Sequence, residues 1–279
     1  MKKILSIFLV LLIGANAFAS EFSVYGGNGL STLMYNAKEG NKSQGLGGLF
    51  GFGYTYFFTP NLGFASGLEM AFYNAKYEFK KIAQQPYMFI DYEGHEMEFR
   101  STVDGYREEQ ILVLLQIPLM LQYRQGKNHQ FYVMTGTKIG IPLSGKNKIY
   151  ADSVKNSAYS KFEDYEYTAQ KFMGFGTFIR QKSEKNLPLQ TAVLLSAETG
   201  IKWKLSERFR LYTGIYFDYG LNPVTKRGPS SDRVIEYKSQ EQTFDFNNLV
   251  DETTPLAVGL KLMLSFDNNK KNGGVEFIP

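Results

Sequence analysis

An alternation of apolar and polar residues with a period of two recurs along most of this chain, and it restricts the fold more than any other feature of the sequence. In the last such segment the apolar face consists of Leu256, Val258, Leu260, Leu262, Leu264 and Phe266, and the opposite face of Ala257, Gly259, Lys261, Met263 and Ser265. Successive side chains of a β-strand point to opposite faces, so the segment predicts a strand with one wholly apolar side. No helical period of comparable length competes with this pattern, and we therefore expect an all-β chain.

The same alternation predicts eight strands, an even number. They cover residues 22–36, 46–58, 62–77, 110–125, 130–145, 190–205, 209–222 and 255–266. In the first strand, Gly26, Gly27 and Gly29 blur the alternation, so its register is not defined by the sequence. Pro118 lies inside the fourth strand. Because proline lacks a backbone N–H, it predicts a bulge or an unpaired position there.

Short and long connections alternate between these strands. The short ones are 59–61, 126–129 and 206–208, and the long ones are 37–45, 78–109, 146–189 and 223–254. In an up-and-down arrangement every second connection lies at the same end, so one rim carries the tight turns and the other carries the long loops. This asymmetry is typical of outer-membrane proteins, with short turns in the periplasm and long loops outside. The prediction is an eight-stranded antiparallel up-and-down transmembrane β-barrel.

The alternation alone does not say which face is inside, and a soluble lipid-binding barrel would turn its apolar face inward. The polar face is rich in glycine and carries Glu69, Glu198 and Asp218 against Lys138, Lys202 and Lys261. Small residues with balanced charges fit a narrow lumen better than a solvent-exposed face. Near the predicted short turns the apolar face carries Tyr56, Phe58, Phe64, Tyr123, Phe131, Trp203, Phe209 and Phe266. These residues are typical of an interfacial aromatic girdle, and we favour the membrane barrel.

The N-terminus predicts export. Lys2 and Lys3 precede an apolar stretch over 4–13, and Ala17-Phe18-Ala19 fits a small-x-small cleavage site. We therefore expect a cleaved signal peptide over 1–19, rather than an uncleaved anchor helix, which would need about 20 apolar residues. A barrel over 20–266 and a short periplasmic tail over 267–279 would follow.

Composition excludes several kinds of site. The chain has no cysteine, so disulfides, cysteine-ligated metals and a thiol nucleophile are ruled out. Its formal net charge of +4 is too close to balance to indicate nucleic acid as a partner.

Three short segments resemble a known family. Ile117-Pro118-Leu119-Met120-Leu121-Gln122-Tyr123, Gly136-Thr137-Lys138-Ile139-Gly140 and Tyr219-Gly220-Leu221 are similar to segments of eight-stranded outer-membrane barrels of Bacteroidetes. These proteins are often called porin-family or PorT-like and are distantly similar to the OmpA membrane domain. The resemblance covers the whole mature chain and implies a barrel without a peptidoglycan-binding domain, for which the tail is too short. Its motifs encode barrel geometry rather than chemistry.

Candidate catalytic and metal-binding residues are few. The two histidines are His95, in a predicted long loop, and His129, in a predicted turn at the other rim, so a shared metal site is not expected. His95 beside Asp91, Glu93 or Glu96 could imitate a hydrolase site, but acidic clusters in exposed loops are usually solvated surface. We expect no catalytic residue, cofactor or metal.

The lumen charges allow two interpretations. Glu69, Lys138 and Glu198 are equally far from their predicted strand ends, so we expect them to meet in one layer. Such a layer could gate ions. The favoured alternative is an internal plug, because eight strands enclose a space just wide enough for side chains to fill.

The expected function is therefore that of a non-enzymatic integral outer-membrane barrel with a structural or surface-binding role carried by its long loops. One alternative, implied by the PorT-like resemblance, is an accessory subunit of a secretion or assembly machine, and another is the soluble lipid-binding barrel. Expected contacts are outer-membrane lipid and either an extracellular ligand or an envelope protein. We expect a monomer and no nucleic acid.

Overall fold

A computed structural model describes residues 19–34, 41–91, 93–226, 233–248 and 252–267. Most of the predicted signal peptide (1–18) and of the predicted tail (268–279) lies outside the described residues. Among the described residues, no helix is both long and apolar enough to cross a membrane.

Fourteen strands and one short 3-10 helix, η1 at Lys171–Met173, make up the described structure. The strands are β1 Ala19–Met34, β2 Asn41–Gln44, β3 Leu46–Phe57, β4 Leu62–Ala83, β5 Tyr87–Ile90, β6 Glu96–Gly126, β7 His129–Ser160, β8 Tyr165–Tyr167, β9 Gly176–Asn186, β10 Ala192–Lys204, β11 Phe209–Gly220, β12 Ile235–Lys238, β13 Thr243–Phe246 and β14 Thr254–Asp267.

Eight of these strands close into a barrel. Antiparallel pairing runs from β1 through β3, β4, β6, β7, β10 and β11 to β14, and β14 pairs back with β1. Phe266 of β14 accordingly lies opposite Phe209 on one side and Phe22 on the other. The predicted eight-stranded up-and-down barrel is confirmed.

The apolar faces of the barrel strands point outward. On β14, Leu260 is 68% exposed whereas its neighbour Lys261 is 7% exposed, and the other barrel strands follow the same rule. On β1, Phe22 and Val24 point outward while Glu21 points inward, which supplies the register that the sequence left open. This arrangement is the reverse of a soluble lipid-binding barrel, so that alternative is excluded.

Three tight turns join barrel strands at one rim, as predicted. They comprise residues 58–61, 127–128 and 205–208. Before the two-residue turn, Gly126 has φ +124°, and a Cβ there would lie 2.3 Å from the carbonyl oxygen of His129. Only glycine fits this position without strain. Pro118 pairs with Lys138 of β7, but Ile117 and Pro118 are left unpaired on the β4 side, which agrees with the predicted unpaired position.

The prediction of loops over 78–109 and 146–189 is wrong for most of their length, because the barrel strands continue through these segments. Strand β4 runs on to Ala83, β6 begins at Glu96, and β7 extends to Ser160. Beyond the lipid-facing residues, the outer faces of these strands become charged. The alternation typical of membrane strands is lost there, which is why the sequence predicts loops. The strands β5, β8 and β9 and the β12–β13 hairpin add to this part. We call residues 78–109, 146–189 and 233–248 the extension.

A row of irregular positions crosses four strands of the extension at one height. Pairing skips Lys80 opposite Gly105, and Asp152 opposite Arg180, while the register on either side of each gap is unchanged. Gly105 has φ +64° and Arg180 has φ +52°. Along β6 the odd-numbered residues point outward below this row and inward above it. Apolar residues at odd positions therefore face lipid in the barrel and face a protein core in the extension.

The extension has its own hydrophobic core. It is formed by Met97, Phe99, Val103, Tyr106, Ile149, Ala151, Val154, Ala158, Phe175, Val234, Ile235 and Phe246. The β12–β13 hairpin covers this core and is fixed by Gln84, which exchanges two hydrogen bonds with the backbone of Ile235 at 2.8 and 3.0 Å. The extension is thus a folded unit continuous with the barrel strands.

Candidate functional site

The lumen holds most of the residues singled out by the sequence, arranged in layers. In the layer farthest from the short turns, Lys138 Nζ donates to Glu69 Oε1 at 2.8 Å and to Asp218 Oδ2 at 2.9 Å. The hydroxyl of Ser196 donates to the other oxygen of Asp218 at 2.6 Å. All four side chains are buried, so one ammonium group serves two carboxylates.

A second pair lies beside this layer. Lys261 Nζ donates to Glu198 Oε2 at 2.7 Å and sits 4.0 Å from the ring centre of Tyr25, and the Tyr132 hydroxyl donates to Glu198 Oε1 at 2.7 Å. Glu69 and Lys138 thus form an ion pair, whereas Glu198 pairs with Lys261 and lines the same small cavity as Glu69 and Lys138. Tilted, staggered strands decide which side chains pair, because equal distances from the strand ends do not give equal heights in a barrel.

Nearest the short turns, Glu21 gathers the third cluster. Its Oε1 accepts from both Lys202 Nζ and Arg124 Nη1, the latter at 2.6 Å, and its Oε2 accepts from Tyr212 at 2.6 Å and Ser265 at 3.1 Å. The sequence pointed to Lys202 but missed Glu21 and Arg124. Glu21 lies one residue before the predicted first strand, and extending the alternation to it would have placed it in the lumen. Arg124 lies two residues after Gln122, on the same lumen-facing side of the strand.

Apolar side chains close the other end of the lumen. Leu112, Leu114, Ala192 and Leu194 are fully buried there, and the Tyr73 hydroxyl accepts from Gln116 Nε2 at 2.9 Å below them. A cavity of about 30 Å³ remains near Glu69, enough for roughly one water molecule. Side chains fill the rest of this part of the lumen.

The eight predicted girdle aromatics lie on the outer surface close to the short-turn rim. Phe58, Tyr123, Phe131, Phe209 and Phe266 are exposed, and Tyr56, Phe64 and Trp203 are half-buried. The Phe209 and Phe266 rings are 5.0 Å apart. The Trp203 indole N–H donates to Thr213 Oγ1 at 2.9 Å.

The two histidines lie in unrelated environments. His95 ends the turn before β6, where its backbone N–H donates to Asp91 Oδ1 at 2.8 Å, and its ring stacks on Phe162 at 4.8 Å. His129 begins β7 at the opposite rim, and its ring makes a T-shaped contact with Trp203 at 4.9 Å. Within the described ranges, no group of three or more histidine, aspartate or glutamate side chains could hold a metal ion.

The extension combines a fixed core with exposed apolar side chains. Tyr237 packs against Phe99, Phe89 and Phe175, its hydroxyl donates to the Met173 carbonyl at 2.8 Å, and burial raises its pKa to about 12. In contrast, the most exposed apolar side chains of the extension are Phe172 at 78%, Phe162 at 76%, Ile179 at 67% and Ile90 at 60%. Exposed apolar residues on an otherwise charged surface are typical of contact sites.

Comparison with solved structures gives several likenesses. The Neisserial surface protein A (NspA) is 11% identical with a TM-score of 0.33, covering 88% of this chain and 96% of that one. OprG from Pseudomonas aeruginosa is 16% identical with a TM-score of 0.32, covering 89% and 96%. Ail, the attachment invasion locus protein of Yersinia pestis, is 12% identical with a TM-score of 0.29, covering 89% and 98%. Likeness at this level carries no argument about function.

By sequence, no curated protein matches this chain. Residues 15–226, however, match the family described as outer membrane protein beta-barrel domain. That match spans most of the chain, including seven of the eight barrel strands. The protein therefore belongs to the outer membrane protein β-barrel domain family and is located in the cell outer membrane.

Proposed function

We propose that this protein is a non-enzymatic, non-conducting barrel that presents the extension at the cell surface for contact with a partner outside the cell. The observation that carries the proposal is the separate hydrophobic core of the extension. Short turns remain in the periplasm in outer-membrane barrels, so the extension, at the opposite rim, would project outward. Loops that only joined strands would not need a core of their own.

The filled lumen argues against transport through the barrel. Three charged clusters cross the lumen, and Leu112, Leu114 and Leu194 close its far end. An ion would have to separate buried ion pairs and then pass apolar side chains, both of which cost free energy. The lumen charges are thus interpreted as an internal plug.

Partner contact is supported by the most exposed apolar residues of the extension. Phe162 follows the long strand β7 and stacks on His95 at 4.8 Å, and Phe172 lies in η1 beside Met173, which packs against the core of the extension. Aromatic residues held on a rigid base lose little conformational entropy on binding and are enriched among residues that dominate binding energy. Around His95, the described acidic partners are Asp91 and Glu93, at 3.7 and 3.9 Å, which is the geometry of a turn rather than of a catalytic triad.

Photo-cross-linking on intact cells tests this proposal. A cross-linker in place of Phe172 should give products with components outside the cell, whereas one at the matched rim position Lys127 should give none of these. Purified protein in planar bilayers should show no steady channels. Large channels would refute the filled lumen, and a stoichiometric membrane partner cross-linked at Lys127 would favour the accessory subunit of a secretion or assembly machine.

A further inference from the structure

A polar cavity of about 270 Å³ occupies the mouth of the barrel at the short-turn rim. Five cationic side chains line it, namely Arg124, Lys127, Lys202, Lys204 and Arg210, together with the carboxylates of Glu21 and Asp267. We call this cavity the vestibule. It is about nine times the cavity near Glu69 and has the volume of roughly nine molecules of liquid water.

The two carboxylates of the vestibule are fewer than its cations, and each pairs with at least one of them, although Asp267 Oδ1 accepts no hydrogen bond from the described residues. Glu21 Oε1 accepts from both Arg124 and Lys202, so two cations share one oxygen. Asp267 Oδ2 lies 3.0 Å from Arg210 Nη2. Two carboxylates therefore face five cations. The vestibule consequently carries an excess of positive charge.

Outside the vestibule lining, one further carboxylate takes part. Lys204 Nζ lies 3.0 Å from Glu207, which is an exposed rim residue. Lys127, in the two-residue turn, has no ion-pair partner among the residues that the structure describes. Even with Glu207 counted, positive charge remains in excess.

Some of the positive charge in the vestibule is buried, and a buried charge without a counter-charge is unfavourable in free energy. The side chain of Lys202 is 2% exposed and that of Arg124 is 12% exposed. Like charges repel more strongly at low dielectric than in water, so an anion at this place would gain more than on an open surface. The Arg210 side chain, 18% exposed, is also fixed by hydrogen bonds to the backbone oxygens of Ser206 and Phe209, which orients its guanidinium group in advance.

We propose that the vestibule is a binding site for a phosphate-bearing anion. Guanidinium and ammonium groups are the usual partners of phosphate oxygens, and two arginines with three lysines can contact several oxygens at once. The lining offers little to an apolar ligand, and its carboxylates are already paired with cations. The phosphate could belong to a soluble molecule or to a lipid headgroup at the periplasmic leaflet.

Titration calorimetry of the full chain in phosphatidylcholine nanodiscs tests this site, with inorganic pyrophosphate as the probe and low ionic strength to limit screening. The parent should bind, and the double variant Lys127→Gln/Arg210→Gln should bind about tenfold more weakly or worse. The control Lys146→Gln removes an exposed lysine at the other rim and should bind as the parent does. Failure of the parent to bind, or an equal loss in Lys146→Gln, would overturn the proposal.

Two further experiments cover a variant that fails to fold and distinguish the two sources of phosphate. If Arg210→Gln does not fold, Lys127→Gln/Lys204→Gln takes its place with the same expectation. Nanodiscs containing phosphatidylglycerol separate the two sources of phosphate. Weaker apparent binding of pyrophosphate by the parent there would show competition by a headgroup, and unchanged binding would identify a soluble anion.

Discussion

Strand β6 passes through two regions whose interiors differ in charge. In the barrel it turns Gln116 and Gln122 inward, into a lumen where buried lysines and carboxylates lie among tyrosine and apolar side chains. In the extension it turns Met97 and Phe99 inward, into an apolar core. The outer surfaces are reversed as well, apolar in the barrel and charged in the extension.

The difference follows from the solvent outside each region. Lipid favours apolar side chains on the outer face of the barrel. The polar and charged residues therefore point inward, where they form ion pairs and hydrogen bonds with one another. Water favours the opposite arrangement, so the extension has an apolar core and a charged surface, as a soluble protein does. The row of irregular positions at Lys80, Gly105, Asp152 and Arg180 lets one continuous strand serve both environments.

The largest expected effect comes from breaking a lumen cluster. Lys138→Met would leave the buried Glu69 and Asp218 without their shared cation and should destabilise the barrel by about 3–5 kcal/mol. The control Lys146→Met removes an exposed lysine paired with Glu184 at 2.7 Å and should cost about 0–1 kcal/mol. Urea unfolding in lipid vesicles measures both. Equal losses would contradict the distinct interiors.

A similar loss is expected in the extension, but confined to it. Phe99 is fully buried and packs against the rings of Tyr87, Phe89 and Tyr237, so Phe99→Ala should cost about 3–5 kcal/mol of local stability. Limited proteolysis should then cleave within 78–109 and 146–189 while the barrel stays intact. Phe131→Ala, on the lipid-facing surface, is the control and should leave the extension resistant. Loss of the whole barrel in Phe99→Ala would show that the two regions unfold as one.

A smaller expected effect distinguishes the lipid-facing surface of the barrel from the water-facing surface of the extension. Leu260 and Ile179 are nearly equally exposed, at 68% and 67%, the first on the barrel and the second on the extension. Leu260→Arg places a charge in the lipid-facing band and should cost about 2–4 kcal/mol. Ile179→Arg faces water and should change stability by about 0.5 kcal/mol or less. Folding yields into vesicles compare them, and a matching loss in both variants would place the same solvent around both regions.

The smallest effect concerns the row of irregular positions. A Cβ at Gly105 would lie 2.1 Å from Asp152 Oδ2, whereas a Cβ at Gly94, with φ +92°, would meet nothing within 4 Å. Both alanine variants are strained by their positive φ, and Gly105→Ala should cost about 1–2 kcal/mol more than Gly94→Ala because Asp152 must move. Thermal unfolding of the extension measures the difference. Equal costs would mean that the contact with Asp152 does not matter.

Most of the membrane part could be predicted from the sequence, because lipid imposes a strict alternation there. The strands, their outward faces and the short turns followed from segments such as 256–266. Pair partners did not, because Glu198 meets Lys261 through strand stagger that no single strand encodes. The extension was missed because its water-facing side is charged, so the alternation typical of lipid-facing strands stops before 78–109 and 146–189. Met97 and Phe99 share odd numbering with Ile111 but face inward, because the alternation reverses at Gly105.

Hydrogen–deuterium exchange of the protein in nanodiscs tests most directly whether the barrel strands continue into a folded extension. Backbone hydrogen bonds between β6 and β7 should protect the amides of 97–104 and 153–160 to a degree approaching that of the barrel segments 111–121 and 131–141. Turn residues 161–164 provide an internal reference for rapid exchange. Exchange of 97–104 and 153–160 as fast as that turn would contradict the account and return these segments to loops.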